Sequence, residues 1–180
     1  MKAFTALAAL GALAIASPAM AQDTDTDLGG FSIAAVGGYD LVSLEAGGTT
    51  TRDSDVVYGI AAGYDVDTGN ALLGVEIEAS DTGLSGGIGN AGLDLYGGIR
   101  AGLQVDDNGL VYLKAGYSNV DLDGFDNLEG IRIGAGYEHH FGGVFGRLEY
   151  RYTTYDVSDT LGAGLNGNRN QIVLAIGGKF

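Results

Sequence analysis

The sequence predicts an all-β fold, an eight-stranded antiparallel up-and-down transmembrane β-barrel preceded by an N-terminal signal peptide. Three observations lead to this prediction. Apolar and polar residues alternate with a period of two in eight separate segments. Short turns alternate with long polar connections between those segments. The chain also holds 33 glycines and a single proline, and it shows no sustained helical spacing after Gln22.

The N-terminal residues have the three parts of a secretory signal. Lys2 supplies the positive start, residues 3–16 form an apolar run, and Pro18 ends that run. Residues 19–21 have the small-x-small pattern of a cleavage site, so we expect cleavage after Ala21. The run is too short for a membrane-spanning helix, which needs about 20 apolar residues.

This reading divides the chain into three parts. We assign residues 1–21 to the signal peptide, residues 22–30 to a short acidic periplasmic lead-in, and residues 31–180 to the barrel. The formal net charge of -14 argues against a nucleic-acid partner. A disordered acidic chain is also disfavoured, because 46% of the residues are hydrophobic.

The predicted strands have about ten residues each, the length that crosses a bilayer at a tilt. In the most regular of them, Leu148 and Tyr150 alternate with Arg147 and Glu149. In the earliest one, the alternation is weak and does not determine which face points outward. The eight segments are residues 31–41, 56–66, 72–79, 94–105, 111–117, 130–140, 146–153 and 171–180.

The connections predict the orientation of the barrel. Residues 67–70, 106–109 and 142–143 carry the Asp, Asn and Gly residues of tight hairpin turns. The intervening connections are longer and polar, and lie near residues 43–55, 80–92, 121–128 and 156–170. Short turns face the periplasm in barrels of this kind, so we expect both chain ends on that side.

The charged residues predict which face points outward. A periplasmic β-sandwich or lipocalin-like barrel would bury the apolar face, whereas a membrane barrel exposes it to lipid. Five basic residues fall on the mixed face, and exposing them all to hydrocarbon would cost on the order of 10 kcal/mol. We therefore expect the charges to pair inside the lumen. The predicted lumen charge network comprises Glu76, Glu78, Asp94, Arg100, Lys114, Arg132, Glu138, Arg147, Glu149 and Arg151.

Aromatic residues near the strand ends predict two interfacial belts. Tyrosine and phenylalanine rings prefer the boundary between lipid and water, and the chain has no tryptophan. Glycines on the mixed face leave space for long side chains in a narrow lumen. The predicted belt residues are Tyr58, Tyr64, Tyr117, Tyr137, Phe141 and Tyr152.

Several segments together resemble a known family. Residues 130–137 (GIRIGAGY), residues 147–152 (RLEYRY), residues 113–117 (LKAGY) and the terminal Phe180 are similar to the opacity-type and porin-like surface proteins of proteobacteria. The resemblance covers the chain from about Phe31 onward. It implies a small OmpA/OmpX-like barrel in the outer membrane, and it implies that Phe180 is an assembly signal read by the barrel-assembly machinery.

The leading function hypothesis is a structural or surface-interaction barrel without a large pore. An eight-stranded barrel has room for its own side chains and little else. The alternatives are a narrow porin-like channel, or a small-ligand or ion binder using the acidic residues of 121–129. A lipid-acting enzyme would depend on His139, expected at the interface, and His140, expected at the lumen mouth, but no nucleophile is placed beside them.

We therefore predict no catalytic residues, no cofactor and no metal site. The expected partners are outer-membrane lipid and lipopolysaccharide, the barrel-assembly machinery, and extracellular molecules that contact the loops.

Overall fold

Eight long antiparallel strands form a closed barrel. The computed structural model describes residues 28–46, 49–82, 85–86, 89–122, 128–156 and 166–180. The strands are β1 Gly30–Ala46, β2 Thr49–Asp67, β3 Ala71–Thr82, β4 Ser85–Gly86, β5 Gly89–Gln104, β6 Gly109–Leu122, β7 Leu128–Phe141, β8 Val144–Asp156 and β9 Asn166–Lys179. The two-residue β4 pairs with the start of β5 and lies outside the barrel wall. Within the described ranges, no helix is long and apolar enough to cross a membrane.

The barrel closes because the first and last strands pair. Strand β3 pairs directly with β5, and β1 pairs with β9 along almost its whole length. At the end of this seam, the Phe31 amide donates to the Phe180 carbonyl at 3.0 Å, and the Phe180 amide donates to the Phe31 carbonyl at 2.8 Å. Closure gives every strand two partners, which a sheet in lipid needs because hydrocarbon offers no hydrogen bonds.

The exposure pattern confirms that the apolar face points outward. Ile133 and Leu148 are 53% and 52% exposed, whereas Arg132 and Glu149 are 0% and 1% exposed. Strand β1, whose facing the sequence left undetermined, follows the same rule. Its Ile33 is exposed, and its Val36 is buried against Val173 of β9.

The three tight turns lie at one end of the barrel, which we call the turn end. They connect β2 to β3, β5 to β6 and β7 to β8, and they leave both ends of the described sheet beside them. Gly69 and Gly142 adopt positive φ values of 101° and 75° in two of these turns, a conformation that favours glycine. We call the opposite end the loop end.

The strands at the loop end are longer than the alternation predicts. Strand β1 continues to Ala46 and β2 begins at Thr49, so most of the predicted loop 43–55 is paired sheet. The prediction was wrong there because polar residues on both faces carry no apolar alternation, although their backbones still pair. Strand β2 has 19 residues, well beyond the 9–11 residues that span a bilayer.

A small apolar cluster lies inside the turn end. Leu28 packs against Leu72 and Leu110, and all three are at most 3% exposed. The Leu28 amide also donates to Asp67 Oδ2 at 3.2 Å. Leu28 belongs to the segment that the sequence interpretation assigned to the lead-in, and β1 begins at Gly30, one residue before the predicted start. The remainder of the predicted lead-in and the predicted signal peptide lie outside the described residues.

Site-directed spin labelling tests the facing of the barrel wall. Because the chain contains no cysteine, single cysteines at Ile133 and Leu148 can carry a nitroxide without background labelling. In lipid vesicles, we expect both labels to collide more often with oxygen than with a water-soluble nickel complex. A label at Asp107, exposed in the β5–β6 turn, should show the opposite preference. Higher nickel than oxygen collision at Leu148 would contradict the outward facing.

Candidate functional site

The lumen of the barrel holds a continuous network of ion pairs. Among the described residues it contains seven carboxylates and seven cationic groups, so its formal charge is balanced. The carboxylates are Asp40, Asp65, Glu76, Glu78, Asp94, Glu138 and Glu149, and the cations are Arg100, Lys114, Arg132, Arg147, Arg151, Arg169 and Lys179. These side chains are almost completely buried, and a buried charge is tolerated only when it is paired and hydrogen-bonded.

Glu138 is the centre of the network near the turn end. Arg100 forms a bidentate contact with it, with nitrogen–oxygen distances of 3.1 and 3.3 Å. Arg147 Nε and Nη2 both donate to Glu138 Oε2, at 3.0 and 2.8 Å. Asp65 then links Arg100 Nε, at 3.0 Å, to Lys179 Nζ, at 2.9 Å. The planar guanidinium groups suit such bidentate carboxylate contacts.

Two glutamates share one lysine in the middle of the lumen. Lys114 Nζ lies 2.8 Å from Glu76 Oε1 and 2.7 Å from Glu149 Oε1. Arg147 Nη1 donates to Glu76 Oε2 at 2.6 Å, which joins this group to the turn-end group. Arg151 Nε also donates to Glu149. The single ammonium group therefore connects strands β3, β6 and β8 across the barrel interior.

The loop-end part of the network has two branches. Arg151 forms a bidentate pair with Glu78, at 2.6 and 2.7 Å. Asp94 accepts from Arg132 and, at 2.6 Å, from Arg169 Nη1. Arg169 Nε donates in turn to Asp40 Oδ2 at 2.6 Å. Arg132 Nη1 lies 3.9 Å from Glu78 Oε1, and this longer contact connects the two branches.

Two tyrosine rings fill the space between the charged layers. Arg100 and Arg147 lie 4.8 and 5.3 Å from the centre of the Tyr112 ring, and the Tyr112 hydroxyl donates to Glu149. Tyr96 receives Lys114 and Arg132 in the same way, at 4.8 and 5.1 Å. These are cation–π distances, so each ring stabilises two cations without adding charge.

Inward-facing glycines make room for these rings. A Cβ on Gly136 would lie 2.5 Å from the Tyr112 hydroxyl, and one on Gly98 would lie 2.6 Å from Cζ of Tyr96. Glycines on the mixed face were expected to make space for long charged side chains. The clearest steric need in the structure comes instead from the two tyrosines.

All ten residues of the predicted network lie on the inward face, and each contacts another member of the network. Sequence reasoning missed four further members, Asp40, Asp65, Arg169 and Lys179. Arg169 lies in a stretch interpreted as a loop. Asp65 lies in a glycine- and alanine-rich strand, where the period-two pattern could have placed it inward, whereas Asp40 lies in β1, where the alternation is too weak to do so.

The predicted belt residues lie on the outward face. Tyr64, Tyr137 and Phe141 are exposed near the turn end, and Tyr58 and Tyr117 are exposed nearer the loop end. Tyr152 is half-buried, and its hydroxyl donates to Asn168 Oδ1 at 2.9 Å. Tyr39 and Tyr150 are further outward-facing tyrosines that the sequence analysis did not assign to a belt.

The two histidines lie on opposite sides of the barrel wall. His140 is buried, and its Nε2 lies 2.9 Å from Glu138 Oε1. His139 points outward, where its Nδ1 lies 3.0 Å from the Tyr137 hydroxyl. No group of three or more His, Asp or Glu side chains within the described ranges could hold a metal ion. Most of the acidic stretch considered for calcium, residues 123–127, lies outside those ranges.

Removing Arg147 should destabilise the barrel strongly. Arg147→Met keeps an apolar stem but removes one cation from both Glu76 and Glu138, which retain Lys114 and Arg100, and so leaves a buried negative charge unbalanced. We therefore expect the free energy of unfolding to fall by about 3–5 kcal/mol. Arg147→Glu should have a larger effect and lower the temperature of the heat-modifiable gel transition. The measurement is a denaturant titration of the barrel in lipid vesicles.

Asp107→Asn is the matched control for this experiment. Its side chain is exposed in the β5–β6 turn, so the change should alter stability by no more than about 0.5 kcal/mol. If Arg147→Met were as stable as Asp107→Asn, the ion network would not contribute to stability as argued.

Comparison with known proteins agrees with this architecture. Residues 5–180 match the outer membrane protein beta-barrel domain family. Neisserial surface protein A is 16% identical, with 83% of this chain and 97% of that chain covered and a TM-score of 0.56. Ail, the attachment invasion locus protein of Yersinia pestis, is 13% identical over 83% of this chain and 99% of that chain, with a TM-score of 0.46. No protein of curated function matches the sequence.

The family match covers nearly the whole chain, and the structural likeness to Neisserial surface protein A is a likeness of fold. Outer-membrane barrels have a polar interior, an apolar exterior and a closed sheet, and this structure has all three. The chain therefore belongs to the outer membrane protein beta-barrel domain family, and it resides in the outer membrane.

Proposed function

We propose that this protein is a non-enzymatic outer-membrane barrel with a structural and surface-interaction role. The balanced ion network carries the proposal, because it fills the lumen from Lys179 near the turn end to Asp40 near the loop end. A barrel of eight strands is too narrow to hold both such a network and a wide water-filled passage. In this proposal the lumen stabilises the barrel, and the loop end is the surface that contacts other molecules.

The charge that remains outside the lumen supports this division. Of the 23 acidic and nine basic residues of the chain, the network in the part that the structure describes takes in seven of each sign. The rest of the chain is therefore strongly acidic. Such a surface attracts cations and cationic partners and repels polyanions. Contact with lipopolysaccharide phosphates would accordingly need bridging divalent cations.

A lipid-acting enzyme is the less supported alternative. His139 and His140 face opposite sides of the wall, so they cannot act together on one substrate. The Glu138 carboxylate beside His140 is also held by Arg100 and Arg147, which fixes it as a structural anion. A narrow channel remains the nearer alternative, because small movements of a charged chain would be enough to admit single ions.

We further propose that Phe180 acts in assembly. Its backbone is bonded to Phe31 at the seam where the barrel closes, and the two rings lie 6.5 Å apart. An aromatic residue at this closing seam is well placed for the barrel-assembly machinery to recognise.

Planar-bilayer recording tests the filled lumen. The purified barrel should show no large, stable open state, because a passage of that size would require several buried ion pairs to separate together. A pore-forming protein of the same family, reconstituted in parallel, verifies that insertion is detected. A long-lived conductance of porin size would contradict the proposal.

Neutralising the loop end tests the interaction surface. We expect vesicles that carry the barrel to bind a Lys- and Arg-rich peptide, and the binding should weaken with added salt. The triple variant Asp55→Asn, Asp81→Asn, Glu129→Gln should reduce that binding several-fold. Neutralising Asp106 and Asp107 at the turn end is the matched control, and equal losses in both variants would exclude a specific role for the loop end.

A further inference from the structure

We propose that the outward face of β6, β7 and β8 binds one zwitterionic phospholipid of the leaflet at the turn end. Its headgroup would contact His139 and Asp106, and one acyl chain would lie in an apolar depression further along the same strands. This inference goes beyond the proposed function, since it concerns the lipid-facing wall and needs neither the lumen nor the loops.

His139 is a polar side chain on a face that is otherwise apolar or aromatic around it. Tyr137 and Phe141, its outward neighbours on β7, are 39% and 69% exposed. Its partners on the adjacent strands are both glycines, Gly109 of β6 and Gly146 of β8. The imidazole therefore lies in a notch whose two cross-strand positions carry no side chain of their own.

The orientation of the ring suits a phosphate acceptor. The Tyr137 hydroxyl lies 3.0 Å from Nδ1, and the Phe141 ring packs edge-on against the imidazole with centroids 4.7 Å apart. A hydroxyl that donates to Nδ1 places the imidazole proton on Nε2. In the tautomer with the proton on Nε2, this N–H can donate to a phosphodiester oxygen, since no hydrogen bond within the described residues reaches Nε2.

A carboxylate lies beside the same notch. A Cβ on Gly109 would come within 2.5 Å of Asp106 Oδ2 and 2.6 Å of the Tyr137 hydroxyl, which places these two groups next to each other. Asp106 is held in position because its Oδ1 accepts the Asn108 amide at 2.9 Å. An acid next to a hydrogen-bond donor is complementary to a headgroup that carries both an ammonium and a phosphate.

The depression lies on the same wall, further from the turn end. It has a volume of about 660 Å³ and is lined almost entirely by apolar atoms. Ala101, Ala115 and Ala135 form its floor, and larger side chains such as Ile133 and Tyr150 border it. The register explains the shape, because Ala115 pairs with Ile133, and Ala135 pairs with Tyr150, so small and large residues alternate.

The distance between notch and depression fits one lipid. Ala135 is four residues from His139, or about 13 Å along the strand. Half of a hydrocarbon core is about 15 Å thick, so an acyl chain anchored at His139 reaches the depression. Short turns face the periplasm in these barrels, so the leaflet concerned is the inner one, which identifies the occupant as phospholipid and not lipopolysaccharide.

Native mass spectrometry of the folded barrel in detergent tests the site. With phosphatidylethanolamine as the probe, His139→Phe should weaken the first bound lipid about tenfold, because it removes a hydrogen bond to a charged group. His139→Gln retains a donor and should bind almost as the parent does. Ala115→Phe fills the depression and should weaken binding without touching the headgroup notch.

Matched changes on the opposite wall serve as controls. Tyr64→Phe removes a polar group from the outward face of β2 and is the control for His139→Phe. Ala35→Phe adds a phenyl ring to the outward face of β1 and is the control for Ala115→Phe. Both control variants should bind the lipid as the parent does. Phosphatidylglycerol, which lacks the ammonium, and diacylglycerol, which lacks the phosphate, should bind more weakly. Inorganic phosphate should not compete, since it lacks the chain.

Four outcomes would overturn the inference. Lipid binding would be nonspecific if His139→Phe left the affinity unchanged or if diacylglycerol bound as tightly as phosphatidylethanolamine. The same would follow if Ala115→Phe and Ala35→Phe lost equal affinity. Tighter binding of lipid A than of phosphatidylethanolamine would assign the wall to the other leaflet. A heat-modifiable gel shift confirms that each variant is folded before binding is compared.

Discussion

The structure depends on one constraint: hydrocarbon offers no partner to a backbone amide, a carbonyl or an ionised side chain. The pairing of β1 with β9 satisfies this constraint for the backbone, because it leaves none of the barrel strands with an open edge. The same closure creates an interior in which Arg and Glu side chains can meet. The closed sheet therefore both pairs the backbone and encloses the charges.

The balance of the network makes the strand register specific. In a sheet, a shift of one residue moves every side chain to the opposite face. Such a shift in β8 would place Arg147, Glu149 and Arg151 in lipid and would break the contacts that the two arginines make with Glu76, Glu78 and Glu138. Buried ion pairs contribute less to net stability than their short distances suggest, because desolvation opposes them. Their larger effect here is to make alternative registers unfavourable.

Period-two alternation, together with the charges confined to one face, predicted the fold, the facing of the strands after the first and ten inward-facing residues of the network, because each of these follows from which face a residue is on. What it could not predict depends on pairing between distant segments. Arg169 joins Asp40 and Asp94 across β1, β5 and β9, and its segment lacks the apolar alternation that indicates a strand. Leu28 is buried inside the turn end because it packs against Leu72 of β3 and Leu110 of β6, which are distant from it in sequence. The cation–π role of Tyr96 and Tyr112 likewise depends on glycines in neighbouring strands.

Because the outward face of the barrel is mostly apolar, a polar residue on that face needs an explanation. In a soluble protein, an exposed histidine needs no explanation, because water satisfies it. On the outward wall of this barrel the same side chain meets lipid, and its polar atoms must find partners on the protein or on a headgroup. Tyr137 provides one such partner for His139, and the cross-strand partners Gly109 and Gly146 have no side chain that could provide another. The register that hides Glu138 and His140 in the lumen thus leaves His139 facing the lipid.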